Sequence, residues 1–199
     1  MDQIIFAMEL LGTVAFAMSG AFVAIEKKMD ILGVAILGIT TAIGGGIIRD
    51  LLIGRTPPES LVNPVFAFVA LSVSLIVFIP KLRRRIDLDS RWMVLVDAIG
   101  LGVFTVIGCS TAVAFHNFCL QVFLGVLTGV GGGVLRDVFA AQKPMIFVKH
   151  FYALASLIGA VLYSALLPVH EIGAMAAGIA VIVILRMLAA KYKWHLPKA

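Results

Sequence analysis

The chain has 199 residues, of which 61% are hydrophobic and 14% are charged, and its mean hydropathy is +1.08. Charged residues make up about a quarter of an ordinary globular chain. The composition therefore excludes a soluble domain with its own apolar core and points to a protein surrounded by lipid. The net charge of +5 does not indicate nucleic-acid binding, because the charged residues lie between apolar runs, where membrane flanks lie.

Seven apolar runs follow one another along the chain, and a helix needs about 20 such residues to cross a membrane. The runs cover approximately residues 4–25, 31–53, 62–80, 92–114, 118–141, 149–168 and 172–190. Their polar connections are short and leave no room for a soluble domain. The first run lacks the basic start of a cleavable signal peptide and is expected to be a retained helix. We therefore predict an all-α membrane protein with seven transmembrane helices.

Lysine and arginine are unevenly divided between the two ends of these helices. Thirteen of the 16 lie on the side of the 81–91 connection, Arg55 alone lies on the other side, and two lie within helices. Cytoplasmic loops carry the excess of such residues, so we expect the N-terminus outside and the C-terminus in the cytoplasm. The thirteen are Lys27, Lys28, Lys81, Arg83, Arg84, Arg85, Arg91, Lys143, Lys149, Arg186, Lys191, Lys193 and Lys198.

The second and fifth helices share the motif GGG-x-x-R-D. It comprises Gly44, Gly45, Gly46, Arg49 and Asp50 and, 87 positions later, Gly131, Gly132, Gly133, Arg136 and Asp137. Upstream, an offset of 88 pairs Glu9 with Asp97, Gly12 with Gly100, Phe16 with Phe104 and Gly20 with Gly108.

Three crossings in each copy place the two copies of this repeat in opposite orientations. We predict two inverted three-helix repeats, residues 1–86 and 87–170, followed by a seventh helix with a basic tail, residues 171–199. Inverted repeats with helices interrupted at matching positions are typical of transporter-like sites near the membrane midplane.

Each glycine triplet has two interpretations. Small residues allow close helix packing, and Gly129 with Gly133 fits such a seam. Three consecutive residues, however, span about 200° of a helix, more than one packing face needs. We therefore favour a break or kink that exposes backbone groups to a hydrated interior. Two unbroken helices, packed dry with their arginines facing no cavity, would contradict a permeation pathway.

The arginine and aspartate of each motif lie one turn beyond the glycines, inside the apolar runs. Ionisable residues at such depth form internal pairs or mark a pathway. Neighbouring residues on a helix point about 100° apart, so we expect each arginine to pair with Glu9 or Asp97 on another helix and not with the adjacent aspartate. Structural ion pairs that hold the bundle together are the alternative. Hydroxyls that could face the same interior, or bond their own helix instead, are Thr13, Ser19, Thr40, Thr41, Thr105 and Thr128.

Enzyme chemistry has no sequence support, because H-E-x-x-H, G-x-S-x-G and G-K-[ST] motifs are absent. The two cysteines, Cys109 and Cys119, lack metal-ligand spacing. We expect neither a cofactor nor a structural metal.

The doubled motif, in a chain with three, three and one helices, resembles the prokaryotic relatives of the TRIC family, the trimeric intracellular cation channels. The same bacterial family is also labelled as a glycine transporter domain family. The resemblance covers nearly the whole chain and implies a homotrimer in the plasma membrane, a pore in each subunit and kinks at both triplets. It also implies potassium and sodium as permeant ions. The lysine-rich lipid-binding motif of animal members has no counterpart, since residues 106–114 contain no lysine or arginine.

Three functions fit these features. The main hypothesis is a monovalent cation channel, in which carboxylates, hydroxyls and backbone carbonyls replace part of an ion's hydration shell. The second is a small-solute transporter with glycine as candidate, an arginine holding its carboxylate and an acid its amine. The third is a membrane scaffold with structural glycines. The predicted pathway combines both motifs with Glu9, Asp97, Ser19, Thr41, Thr105 and Thr128.

Overall fold

The computed structural model describes residues 2–80, 90–148 and 151–194. Within these residues the chain forms seven long helices: α1 (Asp2–Glu26), α2 (Ile31–Leu52), α3 (Val65–Phe78), α4 (Ser90–Thr111), α5 (Phe118–Phe139), α6 (Phe151–Leu166) and α7 (Glu171–Tyr192). This confirms the predicted all-α fold. Of the residues behind the predicted orientation, Lys81, Arg83, Arg84, Arg85, Lys149 and Lys198 lie outside the described residues.

Five of these helices are long and apolar enough to cross a membrane, while α3 and α6 have only 14 and 16 residues. At 1.5 Å per residue they are about 21 and 24 Å long, less than the roughly 30 Å hydrocarbon core. The predicted run 62–80 extends beyond α3 at both ends, and the predicted run 149–168 extends two residues beyond the end of α6. One-turn helices, Glu59–Val62 and Met145–Val148, precede α3 and α6.

Matching caps start the two helices that carry the glycine motif. The carboxylate of Asp30 accepts a hydrogen bond from the backbone N–H of Gly33 at 2.7 Å, and the side-chain oxygen of Asn117 accepts one from Leu120 at 3.0 Å. Such caps satisfy N–H groups that lack a partner in the first turn. Asp30 and Asn117 are 87 positions apart, so the repeat extends to the beginning of both helices.

The two halves pack through their first and second helices, α1 with α4 and α2 with α5. The third helix of the first half, α3, packs against α1 and α2, and its counterpart α6 packs against α4 and α5. The seventh helix packs against α4 and α6 and so belongs to the second half alone. The repeat therefore generates a symmetric six-helix bundle to which α7 adds an asymmetric element.

Glycines at corresponding positions of the two halves have corresponding neighbours. A Cβ atom added to Gly12 would lie 3.0 Å from the ring of Phe104, and one added to Gly100 would lie 2.2 Å from the ring of Phe16. A Cβ on Gly20 would meet the hydroxyl of Thr41, and one on Gly108 that of Thr128. Each glycine therefore allows close approach of a residue type, phenylalanine or threonine, that also approaches the corresponding glycine in the other half.

Candidate permeation pathway

A wide cavity, which we call the outer cavity, opens where α1 begins and α2 ends. Its volume is about 1140 Å³. The first turns of α1, the last turns of α4, the end of α6 and the segment after α2 form its walls. Polar side chains on these walls are Gln3, Glu9, Arg49, Arg55, Glu59, Ser110, Thr111 and Glu171. A space of this size and polarity accommodates hydrated ions or a small polar solute.

A small second cavity, which we call the narrow extension, adjoins the outer cavity near the glycine triplet of α2. Its volume is about 30 Å³, and Glu9, Arg49 and Glu59 line both spaces. A water molecule needs roughly 10–15 Å³ of such space, so the extension admits only a water or two, or an ion that has lost most of its hydration. Its deeper walls are formed by Thr13, Ala42, Ile43, Gly46, Phe66 and Phe104.

The buried Arg49 at the start of this extension pairs with the aspartate beside it. Its Nε donates to Oδ1 of Asp50 at 2.9 Å, and its Nη2 lies 2.8 Å from the same oxygen. The prediction that each arginine would avoid its neighbour was wrong, because the long arginine side chain folds back along the helix. The other oxygen of Asp50 accepts the backbone N–H of Glu59 at 3.0 Å, which anchors the one-turn helix that follows.

The second motif repeats this arrangement. Nε of Arg136 donates to Oδ1 of Asp137 at 2.9 Å, and Oδ2 of Asp137 accepts the backbone N–H of Met145 at 2.7 Å. The amide of Gln142 donates to Asp137 as well, at 2.9 Å. In both halves the aspartate therefore fixes its arginine and holds the returning chain.

A cross-helix network, which we call the inner cluster, surrounds Arg136 at the other end of the bundle. Nη1 of Arg136 donates to Oδ1 of Asp97 and to the hydroxyl of Ser19, which itself donates to Asp97 at 3.1 Å. Nη2 of Arg186, on α7, lies 3.9 Å from the other oxygen of Asp97. The guanidinium of Arg186 stands over the ring of Tyr152, 4.8 Å from its centre. All five side chains are buried.

The expected cross-helix pairing is therefore present in one half only. Arg136 pairs with Asp97 as predicted, whereas no ion pair within the described residues joins Arg49 to Glu9. Glu9 is partly exposed and lies on the wall of the outer cavity. The motif of the first repeat thus borders a cavity, whereas the corresponding residues of the second repeat are enclosed in the inner cluster.

The glycine triplets lie inside unbroken helices, so the prediction of an interrupted backbone was wrong. A Cβ on Gly45 would lie 2.3 Å from the carbonyl oxygen of Thr128, and one on Gly132 would lie 2.2 Å from that of Thr41. The central glycines let α2 and α5 cross with their backbones in contact, as small residues do in membrane helices. Arg49 nevertheless lies on a cavity, so the condition that would contradict a pathway is not met. A bend of either helix axis stays a prediction.

The flanking glycines of each triplet meet other neighbours. A Cβ on Gly44 would meet the side chain of Leu135, and one on Gly131 the backbone of Gly45. Gly46 borders the narrow extension, and a Cβ there would meet only Nη2 of Arg49, at 3.9 Å. Its counterpart Gly133 is covered, because a Cβ there would lie 2.7 Å from the hydroxyl of Tyr152.

The predicted hydroxyls lie in different surroundings. Thr41 and Thr128 donate to carbonyl oxygens of their own helices, both at 2.6 Å, and lie beside the crossing of α2 and α5. Thr105 bonds its own helix and contacts Ser156 at 2.7 Å. Only Thr13 lines the narrow extension, and only Ser19 joins the inner cluster.

Sequence reasoning missed two members of the inner cluster, Arg186 and Tyr152. Arg186 was counted as a cytoplasmic flank, yet it is buried between α7 and α4. A signal was available, because Arg186 lies within the apolar run 172–190, where an ionisable residue points to an internal partner. Tyr152 offered no comparable signal, since an isolated aromatic residue in an apolar helix is ordinary.

Comparison with known proteins identifies the class. A family model described as glycine transporter matches residues 6–81 and 94–168, once in each half. A prokaryotic TRIC channel crystallised in 0.5 M KCl is 30% identical, with a TM-score of 0.91 over 98% of this chain and 100% of its own. The chain belongs to the prokaryotic TRIC channel family, whose members are membrane channels and not enzymes.

Individual relatives cover almost the whole chain. A chain solved in work on the structural basis for conductance through TRIC cation channels is 40% identical, with a TM-score of 0.87 over 97% of this chain and 96% of its own. The inner membrane protein YadS of Escherichia coli is 35% identical over 98% of this chain and 94% of its own. The membrane protein YvgT of Bacillus subtilis is 37% identical over 96% and 94%. The chain is accordingly an integral membrane protein.

Proposed function

We propose that the chain is a monovalent cation channel that conducts potassium and sodium through a separate pathway in each subunit of a homotrimer. The observation that carries this proposal is the outer cavity and its narrow extension, which reach from one end of a single chain to Gly46 beside the helix crossing. The similar TRIC structures, one of them described as a trimeric intracellular cation channel orthologue from Rhodobacter sphaeroides, support both the ion and the assembly.

Cations enter at the outer cavity. The carboxylates of Glu9, Glu59 and Glu171 lie on its wall, where they raise the local cation concentration. Arg55 lies near Glu59, with an Nη1 to Oε2 distance of 3.6 Å, and partly offsets this charge. Asp50 neutralises the charge of Arg49 in the narrow extension. The carboxylate of Glu9 and the hydroxyl of Thr13 therefore stay available there as oxygen ligands for a cation.

The inner cluster closes the pathway at its other end in this conformation. Its side chains are buried and in contact across α1, α4, α5, α6 and α7. Tyr152 covers the position of Gly133, which corresponds to the open position of Gly46. Opening requires these side chains to separate.

Purified protein in a planar bilayer tests the channel. Unitary potassium currents that are linear in voltage near zero and carry sodium as well are the expected result. Absence of current from verified trimeric protein would contradict it. The molecular mass of the same preparation in detergent tests the assembly, and a mass of three subunits is expected.

A glycine transporter is the second candidate, because Arg49 and Glu9 lie on one cavity wall and supply partners for a carboxylate and an ammonium group. Proteoliposomes distinguish the two functions. Saturable counterflow of labelled glycine would support the transporter, and linear, unsaturable flux would support the channel.

The proposed location is the bacterial inner membrane, as for YadS, with the outer cavity facing away from the cytoplasm. The proposed orientation rests on the lysines and arginines at the opposite end of the bundle, from which Arg186 is now removed as a buried residue. Cysteine labelling of Lys191→Cys and Arg55→Cys from one side of the membrane tests it, since only the former should react from the cytoplasm.

A further inference from the structure

Arg186 is the main difference between the inner cluster of the second repeat and the corresponding residues of the first repeat. Every other charged member of the inner cluster has a counterpart in the first repeat: Asp97 corresponds to Glu9, and Arg136 to Arg49. Arg186 has none, because α7 follows the second repeat and, in the described part of the chain, packs mainly against α4 and α6 of that half. The half that Arg186 joins is closed, and the half without it contains a cavity.

Arg186 acts on two groups that cover the inner end. Its Nη2 lies 3.9 Å from Oδ2 of Asp97, an oxygen with no hydrogen bond in the part of the chain that the structure describes. Its guanidinium lies over the ring of Tyr152, at 4.8 Å from the ring centre. A cation over an aromatic face is attracted to it, more strongly where water is excluded. Arg186 thereby holds the ring and adds a second cation beside the acid, which Arg136 and Ser19 already bind.

Tyr152 is the group that fills the position left open in the outer half. Its hydroxyl would lie 2.7 Å from a Cβ on Gly133, and Nη2 of Arg136 would lie 3.6 Å from the same point. At the corresponding Gly46, the nearest atom is 3.9 Å away and the space belongs to the narrow extension. Displacing Tyr152 would therefore create beside Gly133 the kind of space that exists beside Gly46.

Several buried polar atoms of the inner cluster have no hydrogen-bond partner among the residues that the structure describes. Nη2 of Arg136, the hydroxyl of Tyr152 and Nε of Arg186 also lack a hydrogen bond within the described residues, although all are buried. Buried polar atoms without partners are costly. The closed arrangement is therefore less stable than one in which each of these atoms has a partner.

We propose that Arg186 is a positioning residue that keeps the inner end of the cation pathway closed, by bracing Tyr152 across Gly133 while it lies beside Asp97. This rests on the pathway proposed above. Loss of the Arg186 charge releases Tyr152 and removes one of the two cations beside Asp97. The population then shifts towards an inner-open conformation, because α7 supplies a contact that the repeat itself lacks.

The experiment measures access to the inner cluster from the cytoplasmic side. Ser19→Cys is placed in a background in which Cys109 is alanine and Cys119 is serine, and its reaction with a membrane-impermeant methanethiosulfonate is timed in membranes that expose the C-terminal side. Arg186→Gln is expected to accelerate labelling about tenfold, the effect of a shift of about 1.4 kcal/mol in the open population. Arg186→Lys, which keeps the charge, should restore slow labelling. Lys191→Gln is the matched control, because it removes a charge from an exposed site on the same helix.

Equal labelling rates for R186Q and the parent, or a lysine variant as fast as the glutamine variant, would overturn the proposal. Should R186Q not fold, Arg186→Met, an uncharged side chain of similar length that leaves the Asp97–Arg136 pair intact, has the same expected outcome. Potassium currents are recorded on the same proteins, and open probability should rise with the labelling rate. Faster labelling without any current would support Arg186 as the closing residue and contradict the channel.

Discussion

Gly45 and Gly132 face each other's helices so closely that the backbones of α2 and α5 touch. A Cβ on either would lie within 2.3 Å of a carbonyl oxygen, Thr128 for Gly45 and Thr41 for Gly132. Neither backbone oxygen can rotate away as a side chain would. These two residues therefore set the distance between the two halves of the repeat.

Gly45→Ala and Gly132→Ala should each destabilise the folded protein by about 1–3 kcal/mol or more, since overpacking at rigid neighbours has at least this cost. Thermal unfolding in detergent measures the change. Gly46→Ala is the matched control, because its Cβ meets only Nη2 of Arg49 at 3.9 Å and alanine favours helix by about 1 kcal/mol. Equal stability of all three variants would contradict the close crossing.

The location of the glycines followed from the sequence, but the way in which they are used did not. Three adjacent glycines span more of the helix than one packing face requires, and that observation suggested a break. In the fold each face meets something different: Gly44 meets Leu135, Gly45 meets the backbone of α5, and Gly46 meets the cavity. Three consecutive glycines that cover more than one face are thus explained by three different neighbours, and the helix need not be interrupted.

Asp50→Asn should lower stability by about 3–5 kcal/mol, because it leaves the buried Arg49 without its counter-charge. Asp137→Asn should lower stability less, because Arg136 keeps its ion pair with Asp97. Each variant also weakens the bond that holds the following one-turn helix. Asp30→Asn provides the control, since asparagine caps a helix as well as aspartate does. If the two variants unfold at the same temperature as the control, the paired aspartates contribute nothing to stability.

The arginine–aspartate neighbours also show why sequence alone failed at this point. Directions of adjacent residues on a helix describe where the Cβ atoms point and not where a long side chain ends. Arg49 and Arg136 both fold back to the following aspartate, at 2.9 Å in each case. The repeat, the seven apolar helices and the Asp97–Arg136 pair were predictable, whereas side-chain paths and the burial of Arg186 depended on tertiary packing.

Glu9→Gln should reduce unitary potassium conductance about twofold at low ionic strength and less at high salt, because salt screens the attraction between the wall carboxylate and the ion. Single-channel recording at two potassium concentrations measures this difference. Glu26→Gln, an exposed acid at the far end of the same helix and away from the outer cavity, is the control. A salt-independent loss in both variants would assign the effect to folding.

Modification of a cysteine at Gly46 tests the pathway most directly. In a background without Cys109 and Cys119, Gly46→Cys is treated with a positively charged methanethiosulfonate from the outer side during bilayer recording of single trimers. We expect an irreversible loss of potassium current in three equal steps, one for each subunit's pathway, because the adduct fills the narrow extension of about 30 Å³. Complete labelling with undiminished current would show that cations pass elsewhere and would contradict the proposed pathway.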